Sequence, residues 1–423
     1  MATDELPSPD ILSPGAGPVS SDEYWYHIGA MSSQTQGWKL YVSFAPHNAV
    51  ETLQHVVPLL ARHLVSFKYV RSLSTLLRLN SGHLGYSQIG KSLVCYLPNE
   101  RQTVVYDLFR VLSGLSNCTG PVVPYARRLR AQLPVYYRFG AYVDSYIVVD
   151  GHSVQDDRCR FPFVVPSNAI DWLSPLAESG FSNRAPHPFL LRYPVFKAIR
   201  QHGKSGVFAA LDLSAPRYCE VILKMGYRFG ALQPDGTDGC SFLRNEIHAY
   251  RQLGSIGLST LTPKMIDSLE EVDRAILVLE KIEGDDLLSL MLRCELELGD
   301  LKRAWRILCL LNGSGFLVGD AKIANFMRGP DGRIFIIDLE SVSRNKREGP
   351  RQLSLRTFDV IDGKSANANQ SDKLHFLASV AFDYTSAVNV DVVPRKIDLH
   401  QCSLAHHPPD IANWIADRLR EVS

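Results

Sequence analysis

The sequence predicts an α+β protein of two successive domains, and three observations carry that prediction. The chain has 423 residues, more than a single hydrophobic core usually organises. From Trp25 to about Phe163, short β-like runs (WKLYVSF, VSFKYV, SLVCYL, VYYRFGAYV) are interleaved with helical stretches such as AVETLQHVVPLLARHL, whose apolar residues recur every three or four positions. From Tyr193 the order changes to the strands YPVFKAIRQ, GVFAALDL and CEVILKMG, the helix SFLRNEIHAYRQLG, the strands PKMIDSLE and RAILVLEKI, and then mainly helices.

Taken in order, residues 1–24 are acidic and rich in Pro, Ser and Gly, without the basic start and apolar centre of a secretory signal. They are expected to be a disordered tail. Residues 25–187 form the first domain, its last part, from about Val164, being a Pro- and Ser-containing linker or wrapping. Residues 188–423 form the second domain, with a strand-rich lobe over 188–284 and a helical lobe over 285–423.

Lys and Arg number 45 against 44 Asp and Glu, a balance that gives no reason to expect nucleic acid as a partner. No run approaches the roughly 18 apolar residues of a membrane span. The eight cysteines stand singly, without the close pairs of a zinc site. The expectation is a cytoplasmic protein with reduced thiols, no membrane partner and no nucleic-acid partner.

The chemistry concentrates in GFLVGDAKIANFMRGPDGRIFIIDLESV, residues 315–342. Asp320, Lys322 and Asn325 precede a turn, and Asp338 ends an apolar strand. Phosphoryl transfer requires an acid to orient the attacking hydroxyl and oxygen ligands to hold magnesium, and this spacing supplies both. Asp320-Ala-Lys322-Ile-Ala-Asn325 followed by Asp338-Leu-Glu340 resembles the catalytic loop and metal-binding motif of protein kinases.

The resemblance implies that Asp320 is the base, that Lys322 steadies the transferring phosphate, and that Asn325 and Asp338 bind Mg2+. It extends upstream, where Lys224 ends the third strand and Glu246 on the next helix pairs with it. GKSG, with Gly203 and Gly206, stands as a short phosphate loop, and LVLEKIEG resembles the adenine hinge, with Glu280 and Ile282 offering backbone hydrogen bonds to ATP or GTP. The loop lacks the full G-x-G-x-x-G, and Gly319-Asp320 replaces Arg-Asp. Asp372 resembles the aspartate that anchors the catalytic loop.

In the first domain, Lys39 and Lys68 lie inside apolar strand-like runs, where desolvation lowers a lysine's pKa and makes the neutral amine accessible as a base. Arg71, Lys91 and Arg138 are basic residues of the same domain, and an oxyanion pocket for phosphate is a common purpose for all of them. Arg127, Arg128 and Arg130 read equally as one solvated face.

The stretches GWKLYVS, VSFKYVRSLSTLLRLNSGH, Gly90-Lys91, Gly120-Pro121 and YRFGAY, followed by YPVFKAI, VFAALDL, EVILK, LVLEKIEG, GD-x4-NF and IIDLE, resemble the first two domains of class III and class IV lanthipeptide synthetases. The fold implied is a phosphothreonine-lyase-like domain followed by a bilobal protein-kinase-like domain. The kinase of that family phosphorylates Ser and Thr of a ribosomally made precursor peptide, and the lyase eliminates the phosphate to leave dehydroalanine or dehydrobutyrine.

Carried over by this resemblance, Lys68 is the base that takes the Cα proton and Lys39 stabilises the enolate, while Lys91, Arg138 and Arg71 grip the phosphate. Tyr41 stands where lyase relatives have the histidine acid, and His83 is a candidate substitute. The family's cyclase domain has no counterpart before Ser423, which leaves three alternatives: a truncated sequence, a stand-alone dehydratase with a separate cyclase as partner, or a product left uncyclised. The leader of the precursor is expected to dock as a helix. The alternatives are a Ser/Thr or small-molecule kinase whose first domain only binds phosphorylated product, and a pseudokinase scaffold.

Overall fold

A computed structural model describes residues 4–15, 17–30, 34–97, 100–115, 118–143, 145–177, 188–233, 235–271, 274–344, 368–381, 404 and 407–422. The chain is mixed α+β. It divides into two compact units, Met1–Phe208 with Met225–Cys240 and Glu271–Arg274, and Ala209–Lys224 with Ser241–Glu270 and Ala275–Ser423.

The first unit opens with α1 (Pro9–Leu12), β1 (Val19–Ser21), β2 (Trp25–Ile28), β3 (Gln36–Val42), α2 (Ala49–Arg62), β4 (Ser66–Val70), α3 (Leu73–Asn80) and β5 (Leu93–Leu97). It continues through α4 (Gln102–Ser113), β6 (Arg127–Arg128), β7 (Val135–Ala141), β8 (Tyr146–Val149), β9 (His152–Gln155), α5 (Pro188–Arg192) and β10 (Val195–Gln201). Seven of these strands form one sheet in the order β1-β2-β4-β5-β3-β7-β6, antiparallel at every step.

Strand alternation gives this sheet two chemically different faces. Trp38, Leu40 and Val42 of β3, with Phe67 and Tyr69 of β4, face a core that they share with Leu53, Val56, Val57 and Leu60 of α2 and Leu108, Phe109 and Leu112 of α4. In α2 those positions are buried while Glu51, Gln54 and His55 are exposed, the pattern of an amphipathic helix lying on a sheet. The other face carries a smaller cluster of Tyr41, Val94, Tyr96, Val123, Tyr136 and Tyr142.

Residues 4–15 and 17–24 are not the free tail that their composition suggested. Leu6 is buried, its N–H donates to the Arg71 carbonyl and the Leu73 N–H to the Asp4 carbonyl, both at 2.9 Å, and β1 pairs with β2. Backbone pairing and one buried leucine outweigh a polar composition, because an edge strand obtains its partners whatever its side chains. The stretch after Val164 is a wrapping, with Trp172, Leu173 and Leu176 buried in the same core; residues 178–187 lie outside the described residues.

The remaining elements begin with β11 (Ser205–Asp212), β12 (Cys219–Tyr227), α6 (Gly239–Ser255), β13 (Met265–Glu270) and β14 (Arg274–Glu280). A five-stranded sheet runs β10-β11-β12-β14-β13. There follow β15 (Asp285–Asp286), α7 (Leu287–Leu292), α8 (Leu298–Gly313), β16 (Phe326–Arg328), β17 (Ile334–Ile336), α9 (Ala368–Ala381) and α10 (Pro409–Val422).

The second unit has its own core, built from Leu301, Ala304, Leu308 and Leu311 of α8, Phe376, Leu377 and Val380 of α9, and Trp414 and Ile415 of α10. The three-stranded sheet β15-β16-β17 lies next to the loop that bears Asp320, since the Ile337 N–H donates to the Asn325 carbonyl at 2.9 Å.

Candidate active sites

In the first unit the cationic residues share the sheet face opposite the core. Lys39 of β3 stands across from Tyr96 of β5 and Arg138 of β7, while Tyr41 stands across from Val94 and Tyr136. Lys68 of β4 is opposite Val94 on one side and His27 of β2 on the other. Cross-strand partners point to the same face, so Lys39, Tyr41, Lys68 and Arg138 are brought together. The Lys91 Nζ lies 5.1 Å from the centre of the Tyr41 ring, which adds it to the group.

These cations are buried without a matching number of anions. Lys39, Lys91 and Arg138 are 8, 6 and 3 % exposed. Burial pulls the Lys39 pKa down to about 8, with Asp156 opposing and Arg158, Arg138 and Lys68 adding to the fall. The same cause, reinforced by Lys39, Arg138 and Arg158, takes Lys91 down to about 7. Lys68 is also lowered by burial, and its Nζ sits 4.3 Å over the Trp25 ring. Burial pushes the Tyr41 phenol well above its ordinary value, so it is a hydroxyl and not a phenolate.

Two residues of this group carried no signal in the sequence. Asp156, which follows β9, is buried, accepts from Arg138 Nη2 at 2.5 Å and from the Ala141 N–H at 3.1 Å, and holds the guanidinium in place. The Arg138 Nη1 is buried with no hydrogen-bond partner among the described residues. Arg158, two residues on, is exposed and lowers Lys39, Lys68 and Lys91 alike. Both lie in the loop QDDRCR, whose spacing matches no motif.

Arg71 and His83 lie apart from the cluster. Arg71 pairs with Glu5 at 2.8 Å and leans over the Tyr26 ring. His83 is exposed after α3. Arg127 pairs with Asp171 at 3.5 Å.

In the second unit, Lys224 of β12 donates to Glu246 Oε1 of α6 at 2.7 Å and to the Ile337 carbonyl at 3.1 Å, and its Nζ is 3.5 Å from Asp338 Oδ1. Burial lowers a lysine's pKa, yet here the two carboxylates outweigh it and hold Lys224 as an ammonium above its ordinary value. The Leu339 N–H reaches Glu246 at 3.4 Å, and the Asn245 amide donates to the carbonyls of Glu340 and Val342 at 2.8 Å each. Helix α6 therefore fixes the segment that carries Asp338.

The loop after α8 is equally held. The Asp372 carboxylate accepts from the N–H groups of Val318 at 2.7 Å and Gly319 at 2.9 Å and from the Asn312 amide at 2.9 Å. Gly319 has φ +76°, and a Cβ there would lie 2.7 Å from the Ser341 carbonyl oxygen, which explains glycine in place of arginine before Asp320. Lys322 Nζ donates to Asp320 Oδ2 at 2.6 Å, and the Asn325 amide donates to the Asp320 carbonyl at 2.8 Å. The Asp320 Oδ1 is buried without a hydrogen-bond partner among the described residues.

Because Asn325 commits its N–H end to Asp320, its amide oxygen is the end left for a cation. One carboxylate plus one amide oxygen fits the way Mg2+ is held when nucleotide phosphates and water complete its shell.

At the expected adenine hinge, the Glu280 N–H is already donated to the Lys264 carbonyl at 2.9 Å, leaving Glu280 its carbonyl. Ile282 follows β14 in an irregular segment. In the expected phosphate loop, Gly203 has its own reason to be glycine. A Cβ there would collide with the Asn80 carbonyl, and its N–H donates to the Ser81 carbonyl at 3.2 Å. A Cβ on Gly206 would meet the Phe208 ring.

Residues 18–159 match the family described as the RamC N-terminal domain. RamC is a lanthipeptide synthetase of the class III/IV type, so the N-terminal part of this chain is lanthipeptide-synthetase-like, and the matched family is one of peptide-modifying enzymes. The matched span contains β1 to β9 and every residue of the cationic cluster. A search of curated proteins gives no match. No described helix is long and apolar enough to cross a membrane.

Proposed function

We propose that the protein is a bifunctional peptide dehydratase of lanthipeptide-type biosynthesis. The second unit phosphorylates Ser and Thr of a precursor peptide with ATP or GTP and Mg2+, and the first unit removes the phosphate by β-elimination. The observation that carries the reading is the face of buried cations, Lys39, Lys68, Lys91 and Arg138, on which only two acids bear, Asp156 on Lys39, Lys91 and Arg138 and Asp22 on Lys68. Uncompensated buried charge is unfavourable, and a bound phosphate monoester relieves it.

For elimination, neutral Lys68 Nζ takes the Cα proton, the Cα–Cβ double bond forms, and the Cβ–O bond breaks with its electron pair leaving on phosphate. Lys39 stabilises the enolate-like charge, and Lys91 and Arg138 hold the departing oxygens. Tyr41 donates a hydrogen bond to the leaving oxygen as a neutral phenol.

For phosphorylation, Asp320 accepts the hydroxyl proton through its free Oδ1 and Lys322 steadies the transferring group. Lys224, oriented by Glu246, meets the nucleotide phosphates, and the Glu280 carbonyl and Ile282 N–H meet the base. Asn325 and Asp338 would hold Mg2+, which neutralises phosphate charge when bound.

The test is a synthetic phosphoserine peptide incubated with the full chain and no nucleotide. Release of inorganic phosphate and a dehydroalanine product support the reading. Phosphopeptide that binds but is returned intact supports instead a first unit that only binds phosphorylated product, which the high pKa of Tyr41 favours. A peptide that neither binds nor changes overturns both.

A further inference from the structure

Strand β10 is an edge with no strand beyond it among the described residues. It ends the five-stranded sheet, and six of its seven residues are exposed on both faces. Val195, Phe196 and Ile199 are 45, 54 and 54 % exposed, an apolar load that edge strands avoid unless something pairs with them. Lys197 and Arg200 form no ion pair with any described residue. From Pro188 to Leu211 the chain carries Arg192, Lys197, Arg200 and Lys204 and no acidic residue.

This charge selects the occupant. A second copy of the chain would set basic strand against basic strand, whereas an acidic strand would be drawn in and held. Lys197 and Arg200 point to opposite faces, Lys197 sharing its face with Val195 and Ile199 and Arg200 sharing its face with Phe196. The matching partner is an extended segment with two acids three residues apart, each sharing its face with an apolar residue.

We propose that β10 is the docking edge for an acidic, apolar segment of the precursor peptide, which adds to the sheet as a strand. This rests on the proposed function for the identity of the peptide, and it replaces helical docking with strand addition.

The experiment uses a fluorescein-labelled synthetic peptide containing Asp-Leu-Ser-Glu-Leu twice, titrated with the full chain and read by anisotropy. Binding is expected. The surface double variant Lys197→Glu/Arg200→Glu should weaken it about ten-fold or more, and a peptide with Lys at the acidic positions should bind that variant better than the original does. N-methylation of alternate peptide amides should abolish binding, since a strand needs its N–H groups.

Equal binding by variant and original protein, or indifference to N-methylation, overturns the proposal. So does self-association of the chain that Phe196→Glu disrupts, because the edge would then be occupied by a second copy. Anisotropy is read without nucleotide or phosphopeptide. A peptide that docks on a protein unable to eliminate phosphate sinks the dehydratase and not the docking edge; the reverse result sinks only the edge.

Discussion

At the scale of single residues, the two halves of the proposed chemistry rest on opposite treatments of lysine. Lys224 is kept charged by two carboxylates, while Lys39, Lys68 and Lys91 are pushed toward the neutral amine by burial and by neighbouring cations, Arg158 acting on all three. Lys68→Ala is expected to reduce phosphate release from a phosphoserine peptide by about 10²–10⁴-fold. Tyr41→Phe, which removes only a weak acid, should reduce it by less than about ten-fold. Steady-state phosphate assays on both variants check the pair, and a larger loss for Tyr41→Phe would make the phenol the essential acid.

The same burial has a consequence for stability. With Lys91 near 7 in the folded chain and 10.5 in the unfolded one, the unfolded state holds the extra proton between those values, so the fold gains stability as pH rises through that window. Below about 7 the folded chain must also carry the buried charge. Lys91→Met should therefore raise the thermal midpoint most below pH 7 and hardly at all near pH 10, measured by scanning calorimetry. Inorganic phosphate should stabilise the original protein at pH 6 and the variant much less.

At the scale of elements, the catalytic loop depends on one backbone conformation. Gly319 combines a left-handed φ with a close pass of Ser341, and its own N–H and that of Val318 are both held by Asp372. Gly319→Ala is expected to destabilise the second unit by about 1–3 kcal/mol and to lower phosphorylation, as read by denaturant unfolding and by mass spectrometry of the peptide.

Strands β3, β4, β5 and β7 of the first sheet and all five of the second were legible as β-like runs, and in the first sheet period-two alternation sets one face against a core; β1, β2 and β6 were not read. Lys39 and Lys68 stood out because a charged residue interrupts that alternation. Asp156 and Arg158 did not, since they follow a hairpin whose fold alone carries them back to β7. The glycine before Asp320 read as a missing arginine; only the φ and the Ser341 carbonyl give it a cause.

At the scale of the whole molecule, the two cores are separate, and the proposed activities should separate with them. Asp320→Asn is expected to block phosphorylation of a precursor while leaving elimination from a synthetic phosphopeptide at the original rate; Lys68→Ala should do the reverse and accumulate phosphopeptide. Mass spectrometry distinguishes the two, and loss of both activities in either variant would show that the steps are not independent.

The change in strand and helix pattern near Tyr193 marks where the chain leaves the seven-stranded sheet for the five-stranded one, whereas the anchoring of the first residues gave no signal, because backbone partners leave no trace in composition. The turn at Gly203 carries the last consequence. Its glycine seats the β10–β11 hairpin against the end of α3. The turn expected to form a phosphate loop is thus also a packing joint. Enlarging residue 203 would spoil a seam before it disturbed any ligand.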